Sequence, residues 1–416
     1  MIFLILFISI ENFKVIYPTY LGNPHRNFYG INPPDSLSLK WKIYLGFAKS
    51  GARGQIVWGG TSWSTQALIT EEKGDTFLYI PSLSHYLFKV RFKTGELVYK
   101  TKFNDALKMT PSFFVDDKRI FLLVGTRKGL YKSVGDNDVK TLHLVSPDNG
   151  EIIFSKKVPK TLSFSKDTDA SPIVLKGKIY WACENGYLYK SIIRENEIVN
   201  LDSVKLFDDS EAKKKRGNVT IEASPTLFND LIFVSSSSGR FFGVDTANLD
   251  VKFDINLGGD LNGTPHLLSD EKLLVTKESE SKEDGGVFLI DPFKTENPIV
   301  WFFPIKRSIL RKFGKGVIGS AISNEFYVGD SLPRLVAFNG TDGYFYVLSL
   351  DSMPEVVFKE FIGGSISTPL IFKDRIITCS ANGSILLYEI KFERSWEGKL
   401  KNKRGDKFNA KIKVIS

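Results

Sequence analysis

The stretch SPIVLKGKIYWACENGYLYKS, residues 171–191, decides how this chain is read. A hydroxylated residue and a proline, Ser171-Pro172, lead into two β-rich runs joined by a tight turn at Glu184-Asn185-Gly186. Asn-Gly accepts the positive backbone angles that short hairpin loops demand, so the stretch predicts a hairpin for a stated physical reason. The same sentence recurs as FNDLIFVSSSSGRFFGVD (228–245) after Pro225 and as FKDRIITCSANGSILLYEI (372–390) after Pro369, with Gly239 and Gly383 at the turns.

Working outward, seven segments open such units: Thr65-Gln66, Thr110-Pro111, Ser171-Pro172, Ser224-Pro225, Thr264-Pro265, Ser320-Ala321 and Thr368-Pro369. Their spacings of 45, 61, 53, 40, 56 and 48 residues are those of a β blade with loops of varying length. A fourth element reaches an aromatic residue four positions after a turn marker. Gly95 leads to Tyr99, Gly150 to Phe154, Leu249 to Phe253, Asn297 to Trp301 and Pro354 to Phe358. Four strands per radially repeated unit predict an all-β fold, a β-propeller of seven four-stranded blades over residues 35–392. A further copy of the fourth element, Leu37 to Trp41 in SLKWKIYLG, has no strands of its own before it. It is expected to close the last blade, because an open blade leaves an unpaired edge. Eight blades stay open as an alternative if residues 391–416 build a partial one.

Composition agrees with packed sheets: 42% hydrophobic and 13% aromatic residues with 34 Gly in 416 residues. Runs such as RIFLLVG (119–125) are continuous rather than alternating, as strands buried on both faces require. The apolar run IFLILFISI (2–10) is too short to span a bilayer and resembles the core of a secretory signal, so residues 1–20 are expected to be a signal segment. That reading places the protein in the periplasm or outside the cell. Cys183 and Cys379 are too few and too far apart for a disulfide framework and are expected to be buried thiols.

The net charge of +9 is concentrated. Residues 391–416 hold nine Lys/Arg against three Asp/Glu, and residues 393–416 are expected to be a basic C-terminal tail. A second basic cluster, Lys213-Lys214-Lys215-Arg216, precedes the fourth repeat. Neither stretch interleaves the aromatic residues that stack bases, which argues against a nucleic-acid partner. HExxH, Gly-x-Ser-x-Gly and phosphate-loop patterns are lacking, so hydrolytic readings find no support.

Ser/Thr-Pro anchors, Asn-Gly or Ser-Gly hairpins and an aromatic after a turn together resemble the pyrroloquinoline-quinone-type propeller repeat, from about Trp41 to Phe392. Proteins with this repeat include quinoprotein dehydrogenases and the scaffold lipoprotein of the outer-membrane β-barrel assembly machinery. This chain looks most similar to bacterial members known by the repeat alone. The resemblance implies a fold, not a chemistry. Quinone enzymes of this kind share an adjacent Cys-Cys pair, a Trp floor and a calcium ion near a catalytic Asp. Here no two Cys are adjacent, and the aromatic marker is Trp in some repeats and Tyr or Phe in others.

Two constellations remain. Two residues before each anchor stand Trp63, Lys108, Asp169, Glu222, Asn262, Ile318 and Ile366. Asp169, Glu222 and Asn262 offer the hard oxygen ligands that suit calcium, and Lys108 offers a charge to neutralise a carboxylate. The plainer reading is a wet channel whose polar groups satisfy one another. In the loop Val57–Trp63, Trp58 and Trp63 flank Gly59-Gly60 as a stacking platform beside Gln66, or else cap the first blade. The expected function is that of an exported, monomeric, non-enzymatic scaffold holding a protein or peptide partner, with no cofactor. The alternative is a small-ligand, cation or quinone module, conceivably an oxidoreductase, centred on the channel.

Overall fold

The computed structural model describes residues 8–10, 13–26, 41, 43–62, 66–115, 119–294, 296–311, 313–329, 331–350, 353–372, 374–379, 385–394, 400–401, 405 and 407–414. Among these, strand is nearly the whole regular structure, and the one α-helix is the short Asp209–Lys214. No helix there is long and apolar enough to cross a membrane. The chain forms two compact units. The first holds Met1–Pro24, Leu37–Pro225 and Ala247–Asp250; the second holds His25–Ser36, Thr226–Thr246 and Val251–Ser416.

Each anchor is followed by an antiparallel meander. In the first unit, Leu68–Glu72, Asp75–Pro81, Tyr86–Arg91 and Leu97–Lys102 make the first blade. The second runs from Ser112–Val115 to Ile152–Lys157, and the third from Ile173–Leu175 to Glu197–Lys205. The second unit continues with sheets beginning at Thr226–Phe228, His266–Leu267, Ile322–Ser323 and Leu370–Phe372. Seven blades are thus present among the described residues. The turn markers Gly95, Gly150, Leu249 and Asn297 all have positive φ, between 53 and 76°, a conformation that glycine adopts freely and that carries a steric cost at Leu249. The strand register shifts two to three residues later, so turn and bulge act together to start the outer strand.

Blades bury one another face to face. Phe114, Leu123, Leu142 and Leu144 of the second blade pack on Ile179, Trp181 and Tyr189 of the third. Leu274, Val287 and Trp301 of the fifth pack on Val336, Phe338 and Leu348 of the sixth. Trp181, fully buried, stacks on Tyr189 at 4.2 Å and donates its indole N–H to Ser191. Cys183 is a buried free thiol.

Hydrogen bonding explains why the anchors are Ser or Thr. The hydroxyl of one anchor accepts the backbone N–H at the anchor of the preceding repeat. Gln66 donates to Thr110 Oγ1 at 2.7 Å and Ser171 to Ser224 Oγ at 3.0 Å. In the second unit Thr264 donates to Ser320 Oγ and Ser320 to Thr368 Oγ1, both at 2.9 Å. The ladder stitches first strand to first strand where no sheet pairing exists. Ser320→Ala leaves the Thr264 N–H buried without an acceptor, which is expected to cost about 1–3 kcal/mol of unfolding free energy by denaturant titration. An unchanged midpoint would show the ladder to be incidental.

The termini depart from expectation. Trp41 forms no strand; its indole donates to the Phe92 carbonyl at 2.8 Å, and it packs with Ile43 and Leu45 on Leu78, Phe88 and Val90 of the first blade. The last blade is completed instead by Lys407–Val414, which pairs with Ile385–Arg394, and Leu400–Lys401 pairs in turn with that strand. The described residues within 393–416, read as a basic tail, therefore supply strands to the last blade's sheet rather than to an eighth blade, in the place expected of the N-terminal latch. The physical cause is alternation: Phe408 is buried while Lys407 and Lys411 are exposed on the opposite face. At the other end, β1 (Ile8–Ile10) and β2 (Phe13–Tyr17) extend the first blade beyond Leu68–Glu72. Phe13, Val15, Tyr20 and Leu21 are buried, so the later half of the signal-like segment is built into the first unit. A separate two-stranded sheet, β3 (Phe47–Ser50) with β4 (Ile56–Gly59), lies outside the seven blades.

Candidate functional site

Within the first unit, the loops leading into first strands and those leaving second strands meet at one end of the blades. Lys108 precedes the first strand of the second blade; Asp167 and Asp169 precede that of the third; Glu184 sits in the hairpin turn after Lys178–Cys183; Arg127 and Lys128 follow Ile120–Gly125. These side chains form one charged cluster. The Lys108 ammonium is in contact with Asp169 and lies 3.2 Å from Glu184. Arg127 donates to Asp167 at 2.7 Å and Lys128 lies 3.5 Å from the same carboxylate. Lys108, Asp167, Asp169 and Glu184 are all buried.

The energetics follow from counting charges. Burial would push the Lys108 ammonium down, but Asp169, Glu184, Glu222 and Asp167 outweigh it and hold the group well above the ordinary lysine value. Burial alone would also raise Asp167; Lys108, Arg127 and Lys128 win there and bring it to about 2. Asp169 goes the other way. Burial raises it most, Glu184 and Asp167 add to that, and Lys108 opposes without prevailing. One ammonium faces two adjoining carboxylates, and burial with that excess of negative charge holds the Asp169 carboxyl well above the usual range.

The oxygens of Asp167, Asp169 and Glu184 lie within 4.8 Å of one another, the geometry of a cation site. The Lys108 ammonium, already among them, supplies the positive charge such an ion would bring. Arg127 then links the cluster outward. Its guanidinium donates to Ser50 Oγ at 2.8 Å and lies 5.0 Å from the Trp58 ring, and Ser50 donates to the buried Asp105 at 2.5 Å. Burial would lower Arg127, but Asp167 and Asp105 raise it, so it stays charged.

Of the residues singled out by sequence, Lys108 and Asp169 touch, and the charge of half-buried Glu222 acts on Lys108. Asn262 belongs to the second unit, where its Oδ1 is buried without a hydrogen-bond partner. Trp58 is half-buried on Arg127 rather than free to stack. Trp63 lies outside the described residues. Gln66 is a joint: its side-chain oxygen accepts Tyr17 Oη at 3.1 Å and the Leu21 N–H at 2.8 Å. Sequence reasoning missed Asp167, Glu184 and Arg127. The Asp-x-Asp spacing of 167 and 169 hinted at two carboxylates on one face of an extended segment, but Glu184 and Arg127 reach the cluster only through folding.

Meandering four-stranded sheets repeated seven times, with polar anchors joining their first strands, define a β-propeller. The solved structure of BamB from Moraxella catarrhalis is similar to this chain at a TM-score of 0.55 and 13% identity, covering 83% of this chain and 98% of that one. At that identity the likeness concerns the fold. No family model matches the sequence. No curated protein matches it either.

Proposed function

We propose that this chain is an exported, non-enzymatic scaffold that holds a protein or peptide partner through the loops at the charged end of its first unit. The observation that carries this is where chemistry is spent and where surface is left. The ionisable groups that a catalytic or cofactor site would use are buried against one another around Lys108. The loops beside them leave large apolar side chains in water: Tyr44, Phe47, Val57, Tyr131 and Phe164 are each more than half exposed. Exposed apolar residues on these loops and on the β3–β4 ribbon are the composition of a contact surface. The apolar run before β2 supports export, and the monomer is the simplest state for a chain carrying seven blades.

A photo-crosslinking residue placed at Tyr131 or Phe164 is expected to capture one partner of defined size, and one at Leu97 or Val251 on outer strands to capture none. Equal capture from all four positions would sink the reading. The second reading, a cation or quinone module, rests on the three neighbouring carboxylates. It calls for a melting shift in millimolar calcium and a quinone absorbance change; neither is expected with Lys108 in place.

A further inference from the structure

The second unit carries a patch whose chemistry is unlike the buried cluster of the first. Between Ile299–Ile305 and Lys315–Gly316 the chain reads KRSILRKFG (306–314), and residues 306–315 hold five Lys/Arg and no Asp or Glu. The backbone of this loop is pinned. Ile309 donates its N–H to Thr341 O at 2.8 Å, Leu310 to Ser308 Oγ at 3.1 Å and Phe313 to Leu310 O at 3.1 Å. Its apolar side chains, by contrast, are left in water. Ile309 is 47% exposed, and Phe361, at the end of the strand Val356–Phe361, is 59% exposed. Two glycines bring them together. A Cβ on Gly343 would stand 2.5 Å from the Phe361 ring and 2.8 Å from Ile309 Cδ1, and one on Gly364 would stand 2.8 Å from Leu310 Cδ2. Ile309, Leu310 and Phe361 thus make one continuous apolar patch. Tyr344 extends it, with its ring 5.4 Å from that of Phe361.

Cations flank the patch. Lys306, Arg307, Arg311 and Lys359 are exposed, and none of the four forms an ion pair among the described residues. Lys359 rests instead 4.9 Å from the Tyr344 ring. Most acids beside the patch are already committed. Asp342 accepts Tyr346 Oη at 2.7 Å, Asp284 pairs with Lys315 and Glu283 with Lys277, both at 3.2 Å, and Glu278 accepts the Gly314 N–H at 2.5 Å. Glu360 is turned toward Tyr388. Exposed Glu280 is the exception. Apolar side chains between unpaired cations suit an anionic bilayer: the cations meet headgroup phosphates, and the apolar groups enter the boundary beneath them. A purely acidic peptide would satisfy the cations and leave Ile309 and Phe361 in water. We propose that this patch is a membrane-docking site that lays the protein on an anionic lipid surface. It shares no residue with the partner surface of the first unit, so either can fail alone.

Sedimentation of the full chain with vesicles is the test. Vesicles of phosphatidylcholine with about one third phosphatidylglycerol are expected to bind at least about tenfold more tightly than phosphatidylcholine alone. Salt at about 0.5 M is expected to remove most of that difference. The double reversal Arg307→Glu with Arg311→Glu is expected to weaken binding by about tenfold or more. Lys213→Glu with Lys214→Glu changes the net charge equally, in the exposed basic cluster of the first unit, and is expected to leave binding within about twofold. Ile309→Ser and Phe361→Ser are each expected to weaken binding about fivefold with circular dichroism and melting unchanged, because both side chains stand largely in water. No binding to anionic vesicles, equal binding to both kinds, equal loss from the two charge reversals, or indifference to both serine variants each overturns membrane docking. So does an oligoglutamate peptide that binds through Arg307 and Arg311 more tightly than the vesicles do.

Discussion

Removing residues 400–416 is expected to cost about 2–5 kcal/mol and to turn a cooperatively melting protein into one that aggregates. The estimate comes from burial: Phe408 is almost wholly buried and Ile412 half-buried, and each apolar side chain of this size contributes about 1.5–3 kcal/mol. The aggregation comes from the edge. Ile385–Arg394 is a ten-residue strand that pairs with Lys407–Val414 across seven registered positions, and losing the partner leaves a long unpaired edge. Tyr388, stacked on Phe345 at 5.3 Å, would lie beside the exposed region. Light scattering and denaturant titration of the truncated chain check both effects. A truncation that stays soluble and melts at the parent midpoint would show that the last blade closes by other means.

Lys108→Met is expected to cost about 3–5 kcal/mol, the penalty of leaving buried carboxylates without their counter-charge. Adding Asp169→Leu is expected to recover part of the loss, since replacing both partners of a buried pair removes the orphan as well as the bond. The pH dependence has a defined sign. Asp169 is already raised in the folded state and rises further without Lys108, so its protonated form stabilises the variant below the unfolded carboxyl value and is lost as pH rises. The deficit should therefore be smaller near about pH 4 than near about pH 7. Asp167, at about 2, works in the opposite sense in the parent protein: its contribution is present above the unfolded value and fades as pH falls toward 2. Lys108 is the foremost charge depressing it, so the variant should show a weaker acid limb. A deficit equal at both pH values would mean that Met is simply a poor fit at this position.

The truncation addresses one of the two places where reading the chain in order goes astray. KFNAKIKV (407–414) has the period-two pattern of a half-buried strand, yet its neighbourhood of nine basic residues reads as a solvated tail. Net charge is a property of a segment's composition, whereas pairing depends on which face each lysine occupies. Trp41 shows the converse error. SLKWKIYLG has the form of an outer strand, but its Trp is drawn to the turn at Gly95, where the Phe92 carbonyl accepts its indole N–H. Similar sequences were placed differently because each end of a repeat array takes whichever edge is open.

The sequence by itself determined the blade. Ser/Thr anchors, positive-φ turn residues and apolar runs act over fewer than about twenty residues, and local rules of backbone conformation and burial suffice to read them. The same rules located Lys108 and Asp169, because an anchor fixes the position two residues before it in every repeat. Only tertiary structure decided their company. Glu184, Arg127 and Ser50 come from a hairpin turn, a blade loop and a strand outside the blades, and the cost of burying a charge selects its partners by distance in space, not along the chain. For the same reason β3–β4 was invisible in order of residues: FAKS and IVWG are too short to announce a sheet until Arg127 and Tyr131 hold the ribbon open.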